Sequence, residues 1–111
     1  MEKCLIMEIT SKELKQKITN GEKILVDFYG KFCGPCKIMK PWFESASEEL
    51  KKNNSDVSLY TFDIDSDREF VISELGLKSV PTIKGFKDGK EVYHNVGISK
   101  KEQIIQVTNE I

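Results

Sequence analysis

Between Lys23 and Tyr29 the chain reads Lys-Ile-Leu-Val-Asp-Phe-Tyr, an apolar run of strand length broken by one acid. From Pro35 onward the period changes. Ile38, Met39, Trp42, Phe43 and Ala46 recur at helical spacing, which predicts a helix opening directly after a buried strand. Upstream, Leu5 to Ile9 reads as a first strand, and Thr10-Ser11-Lys12-Glu13 is a capping-box pattern for a helix ending before Gly21. Downstream, Pro41 inside the motif helix predicts a kink, and Asn53-Asn54 its end. Val57 to Ile64 reads as a strand covered on both faces, hence mid-sheet.

Ser66-Asp67-Arg68-Glu69 is a second capping-box pattern, opening a short helix that carries Phe70, Val71 and Leu75 and stops at Gly76. Thr82–Phe86 and Glu91–Val96 flank Lys87-Asp88-Gly89-Lys90, whose Asp-Gly pair is a strong hairpin signal. Ser99-Lys100-Lys101-Glu102 then opens a last helix with Ile104, Ile105 and Val107 inward. The order βαβαβαββα predicts an α/β fold, a central mixed sheet with helices on both faces. Gly85 within a strand marks a bulge or a close neighbour, with a bulky side chain, for instance from the last helix, expected to fill the space.

Length and charge narrow the function. A chain of 111 residues, 39% hydrophobic and 32% charged, suits a single domain over 1–111. Its sixteen lysines and one arginine are spread along a chain of net charge −1, which gives no basic patch for nucleic acid. The N-terminal apolar run Leu5-Ile6-Met7 falls short of the roughly 7 to 15 residues of a signal peptide, and no segment approaches transmembrane length. The expectation is a reducing cytosol, no membrane association and a monomer. In such a compartment a conspicuous thiol pair points to catalysis.

That pair is Cys33-Gly34-Pro35-Cys36, at the predicted strand-to-helix junction. With Cys33 as N-cap, its sulfur takes the place of a capping oxygen near the Cys36 N–H, where the helix terminus favours a thiolate. Stabilisation there reaches about 2 kcal/mol, and about 1.4 kcal/mol is one pKa unit, so a downward shift of roughly one unit or more is available. Cys33 is thus the expected attacking thiolate and Cys36, in the first turn, the resolving thiol. Two alternatives are a half zinc site completed by Cys4 and His94, and a purely structural disulfide. The isolated ligands argue against the first and the tiny closed loop against the second. Cys4 otherwise reads as a small buried hydrophobe in the first strand, and His94 as a solvent-facing strand residue.

Asp27 is the lone acid of the apolar run. Burial raises a carboxyl pKa toward the range of a proton-transfer group, which suits it to take the proton of Cys36; the alternative is an acid turned to solvent. Val80-Pro81-Thr82 places a proline at the start of a strand, where spacing alone favours a trans bond.

Together, Val26-Asp27-Phe28-Tyr29-Gly30-Lys31-Phe32-Cys33-Gly34-Pro35-Cys36-Lys37, Pro41, Val80-Pro81-Thr82, Phe86-Lys87-Asp88-Gly89 and Gly97 resemble the thioredoxin family over nearly the whole chain. The resemblance implies the thioredoxin fold and reduction of protein disulfides without a bound cofactor or metal. It implies Cys33 as nucleophile, Cys36 as resolver in a redox-active disulfide, Asp27 as buried acid-base residue and Pro81 as cis. It also implies a client-contact patch of Phe32, Gly34, Pro35, Val80, Pro81, Gly97 and Ile98. Disulfide-containing client proteins and a thioredoxin-reductase-type electron donor follow as partners.

Four positions depart from the family pattern. Phe32 and Tyr29 stand where tryptophans are usual, Thr61 looks like the counterpart of a lysine beside the buried acid, and Ile98 is larger than the usual residue. Without that cation the pKa of Asp27 is expected higher than usual. Two further readings are an interaction module indifferent to loss of both cysteines, and an isomerase or oxidant. Gly34-Pro35 resembles the reducing branch instead.

Overall fold

β2 (Ile24–Tyr29) runs through the middle of a five-stranded sheet in the computed structural model, which describes residues 7–111. It pairs in parallel with β3 (Ser58–Asp63) and antiparallel with β4 (Thr82–Lys87). β1 (Met7–Glu8) lies outside β3, and β5 (Lys90–Val96) outside β4. The order β1-β3-β2-β4-β5 is the expected mixed sheet. Cys4 and the start of the predicted first strand lie outside the described residues.

Side chains alternate along a strand, and here both faces are covered. Leu25 faces α2 (Gly34–Lys52) and α4 (Lys101–Glu110), packing with Met39, Phe43, Ile104 and Val107. Ile24, Val26 and Phe28 face α1 (Ser11–Thr19) and α3 (Arg68–Ser73), where Leu14, Phe62 and Phe70 meet them. That double burial is why β2 reads as a continuous apolar run. It also places Asp27, on the face of Leu25, beneath α2.

The Thr10 capping box forms as expected: the Glu13 N–H donates to Thr10 Oγ1 at 3.1 Å, and the Thr10 N–H to Glu13 Oε1 at 2.9 Å. The other two boxes shift by one residue. Ser66 belongs to a 3-10 turn (Ile64–Ser66), and α3 is capped instead by Asp67, whose Oδ1 accepts from the Phe70 N–H at 3.1 Å. The turn absorbs the serine, and α3 ends at Ser73, before Gly76. At α4 the N-cap is Lys100, its N–H donating to Gln103 Oε1 at 2.9 Å. Ser99 is buried and accepts from Asn95 Nδ2 instead, so it is unavailable as a cap. α2 continues through Pro41 to a C-cap at Asn53.

The hairpin closes through two residues, Asp88 (φ 54°) and Gly89 (φ 82°), a type I′ geometry in which both central residues need positive φ. Lys84, unremarkable in the sequence, is buried on β4. Its Nζ donates to Glu91 Oε1 at 2.6 Å and meets Nδ1 of the exposed His94 at 3.1 Å.

At Gly85 the neighbours are strands, not the last helix. A Cβ there would lie 3.1 Å from Tyr93 Cβ and 3.2 Å from Leu25 Cδ1, and the register shifts between Gly85 and Phe86. Tyr93 Cβ moves only with its backbone, and Leu25 is locked in the core. Gly85→Ala is therefore expected to lower stability by about 1–3 kcal/mol through overpacking, read as a lower urea midpoint at unchanged slope.

Candidate active site

The β2 chain leaves the sheet at Tyr29, turns through Gly30–Phe32 and enters α2 at Cys33. Cys33 is the N-cap, with extended φ and ψ of −102° and 109°, and its Sγ accepts from the Cys36 N–H at 3.1 Å. The sulfur thus fills the capping role that spacing predicted. Cys33 and Cys36 form a disulfide closing the first helical turn. Their accessibilities differ: Cys33 is partly exposed, whereas Cys36 is 4% exposed. An incoming macromolecule meets the first sulfur before the second.

Asp27 is 3% exposed, and among the described residues its Oδ1 has no hydrogen-bond partner. Removal from water raises its carboxyl from the ordinary 3.8 to about 7. Register explains why nothing offsets that burial: Asp27 is paired with Thr61 on β3, the position suspected of lacking a lysine. Asp27, Cys36, Thr61 and Tyr29 all line one pocket of ≈ 380 Å³ between β2, β3 and α2, with Lys37 and Lys40 at its rim. The acid and the buried thiol therefore share one pocket.

The predicted contact residues surround Cys33. Phe32 is 98% exposed, and Gly34 and Pro35 are exposed beside it. A Cβ on Gly30 would sit 3.6 Å from Val80 Cγ2 and 3.8 Å from Cys33 Cβ, so half-buried Val80 and Cys33 both border Gly30. The Val80-Pro81 bond is cis, as the resemblance implied and against the spacing prior. The Pro81 ring is buried, and its carbonyl accepts from the Gly97 N–H at 2.9 Å, joining two loops of the patch. Ile98 is 42% exposed, and the next residue anchors that loop on α2 through the Ser99 N–H donating to Met39 Sδ at 3.3 Å.

Sequence reasoning missed Glu8. Its carboxylate accepts a hydrogen bond from the Tyr29 hydroxyl and lines the same pocket. The Tyr29 hydroxyl is pushed well above its ordinary range, first by burial, then by that bond and the negative charges of Glu8, Asp63 and Asp27. Tyr29 therefore turns toward the pocket. A strand alternation starting at Leu5 hinted at the face of Glu8, but which strand it would pair with had no local signal.

Residues 5–110 match the family model described as Thioredoxin. A thioredoxin of Mycoplasmoides gallisepticum is 37% identical over 86% of this chain and 92% of that protein. One from Chlamydia caviae is 33% identical over 96% and 98%. Among solved structures, thioredoxin from Malassezia sympodialis superposes with a TM-score of 0.81 at 25% identity, covering 95% of this chain and 91% of that one. Mitochondrial thioredoxin 3 of Saccharomyces cerevisiae gives 0.80 at 24% identity, over 96% and 95%, a likeness of fold.

The raised carboxyl has a consequence for stability. From about pH 4 to about pH 7 the folded state holds a proton on Asp27 that the unfolded chain has lost, so stability falls as pH rises through that window and levels above it. At about 1.4 kcal/mol per pH unit the loss comes to about 4–5 kcal/mol. Asp27→Asn is expected to match the parent at pH 4 and exceed it by a few kcal/mol at pH 8, read from denaturant midpoints at both values. Equal stability increments at the two pH values would refute it.

Proposed function

The chain belongs to the thioredoxin family and is a thiol-disulfide oxidoreductase, and on that footing we propose that Cys33 attacks, Cys36 resolves and Asp27 moves the proton between them and solvent. The observation that carries this reading is the unequal exposure of two sulfurs at one helix start, with a buried carboxylate sharing the pocket of the inner one.

The cycle begins with Cys33 as thiolate. It attacks one sulfur of a client disulfide, forms a mixed disulfide, and the other client sulfur leaves with the bond's electron pair. Cys36 then gives its proton to Asp27 and attacks Cys33 Sγ. The Cys33–Cys36 bond forms, the Cys33–client bond breaks, and the second client thiolate departs and is protonated. Two electrons have passed to the client, and the protein holds the disulfide seen here.

Clients with protein disulfides and a thioredoxin reductase are the partners the family implies. Phe32, Gly34, Pro35, Val80, Gly97 and Ile98 form the contact patch, with Pro81 fixing its backbone from below; a surface of apolar side chains and backbone suits varied sequences. The protein acts as a monomeric single domain in a reducing cytosol, without a bound cofactor and without nucleic-acid or membrane partners. That compartment fits a thiol pair that must be kept reduced between turnovers.

Cys33→Ser is expected to abolish insulin-disulfide reduction. Cys36→Ser is expected to accumulate a covalent client adduct that dithiothreitol releases, seen by mass spectrometry. The reversed pattern, with the adduct on Cys36, would overturn the assignment. Thiol trapping across dithiol buffers should give a reducing midpoint; an oxidising one moves the protein to the isomerase or oxidase class. Phe32→Ala is expected to raise KM for insulin several-fold while leaving the reaction with a small aromatic disulfide unchanged, since only the macromolecule covers the ring.

A further inference from the structure

Glu8 on β1, Thr61 on β3 and Asp27 on β2 lie in one row across three parallel strands, so their side chains share a sheet face. Strands repeat every ~4.8 Å, which puts the two carboxylate-bearing residues on the order of 10 Å apart with threonine between them. Thr61 is too short to fill that span. The pocket of ≈ 380 Å³ occupies it, reaching from Cys36 and Asp27 to Glu8. At ~30 Å³ per water it has room for several, and the carboxylate, hydroxyl and phenol groups of Glu8, Asp27, Thr61 and Tyr29 supply polar points along a largely apolar wall.

We propose that Glu8 is the outer proton acceptor of the site, taking through the pocket over Thr61 the proton that Asp27 receives from Cys36, with Tyr29 holding its carboxylate in place. This rests on the reading of Asp27 as the base for Cys36. The transfer balances within the chain: Cys36 thiol and Asp27 carboxylate become thiolate and carboxylic acid, then water carries that proton to the Glu8 carboxylate and on to solvent. No electrons move in this step. An acid as weak as Asp27, only 3% exposed at the inner end of the pocket, gives up its proton slowly, so a second carboxylate on the exit path shortens the wait.

The other charged groups facing the pocket do not serve. Lys31, Lys37 and Lys40 are cations with no site for a further proton. Glu44, on α2, shares the pocket but is off the strand row, and no hydrogen bond or ion pair fixes it among the described residues. Asp63, adjacent to Tyr29, is engaged by the Asp65 N–H and by Lys31. Among the described residues, Glu8 alone combines the row position with a carboxylate oriented by a neighbour's hydroxyl. It acts through Asp27 and is a positioning residue, not a catalytic one.

Mixing reduced protein with an aromatic disulfide such as Ellman's reagent tests this, because the two successive releases of coloured thiolate report Cys33 attack and Cys36 resolution separately. Glu8→Gln is expected to leave the first phase unchanged and slow the second by about three- to tenfold near pH 6–7, less than the ~10²-fold of a group in direct contact. Added imidazole should restore the second phase, which a structural defect would not allow. Tyr29→Phe should show a smaller loss of the same kind, and Glu44→Gln none. An unchanged second phase in Glu8→Gln, a slowing that imidazole does not restore, or an equal slowing in Glu44→Gln overturns the proposal. Asp27→Asn separates the two readings: if it slows resolution while Glu8→Gln does not, only Glu8 is refuted. If Asp27→Asn resolves at the parent rate, the Asp27 reading falls and takes this one with it.

Discussion

β2 is hydrogen-bonded along almost its whole length to β3 on one side and β4 on the other, and the rest of the molecule takes its position from that strand. Helices cover both its faces, so its side chains from Ile24 to Phe28 are withdrawn from water, whichever way they point. A strand so enclosed ends where the backbone can leave the sheet without stranding its polar groups. Here it leaves at Tyr29, and within four residues the orphan N–H groups of α2 have found a cap in the sulfur of Cys33. The redox pair stands at that exit because a rigid strand and a helix start meet there at fixed geometry.

The same enclosure makes Asp27 the most expensive residue of the core. A carboxylate without a hydrogen-bond partner, and without a cation at Thr61, is held near neutrality by desolvation alone. In a purely structural protein, an apolar residue there would be more stable. The proposed function gives the acid a place there, since Cys36, the thiol it would serve, lines the same pocket. Stability and chemistry are thus opposed at one position, and the opposition grows as pH rises toward 7.

The client side of the site follows a different rule. Its residues come from three separate loops, after β2, before β4 and after β5, brought together by the Pro81–Gly97 backbone bond and by Ser99 on Met39. Few side chains are polar, so in the proposed client role recognition falls to shape, backbone groups and the exposed ring of Phe32. An indole here would add a hydrogen-bond donor; phenylalanine leaves contact area alone.

What could be read along the chain was whatever depends on nearest neighbours. The period-two and period-3.6 patterns placed strands and helices, Asp88-Gly89 named its own turn, and Cys33-Gly34-Pro35-Cys36 carried its capping geometry within one helical turn. The capping boxes at Ser66 and Ser99 failed by one residue because a 3-10 turn and a buried hydrogen bond claimed those serines, competition that local pattern does not register. Gly85 announced a close neighbour without saying which, since that depended on the facing side chains of β2 and β5. Likewise the row Glu8–Thr61–Asp27 spans more than fifty residues of sequence and exists only through strand register. The chemistry of the two cysteines was therefore set by short-range sequence, whereas the surroundings that tune it, namely the unpaired burial of Asp27 and the pocket leading to Glu8, were decided by which strands came to lie side by side.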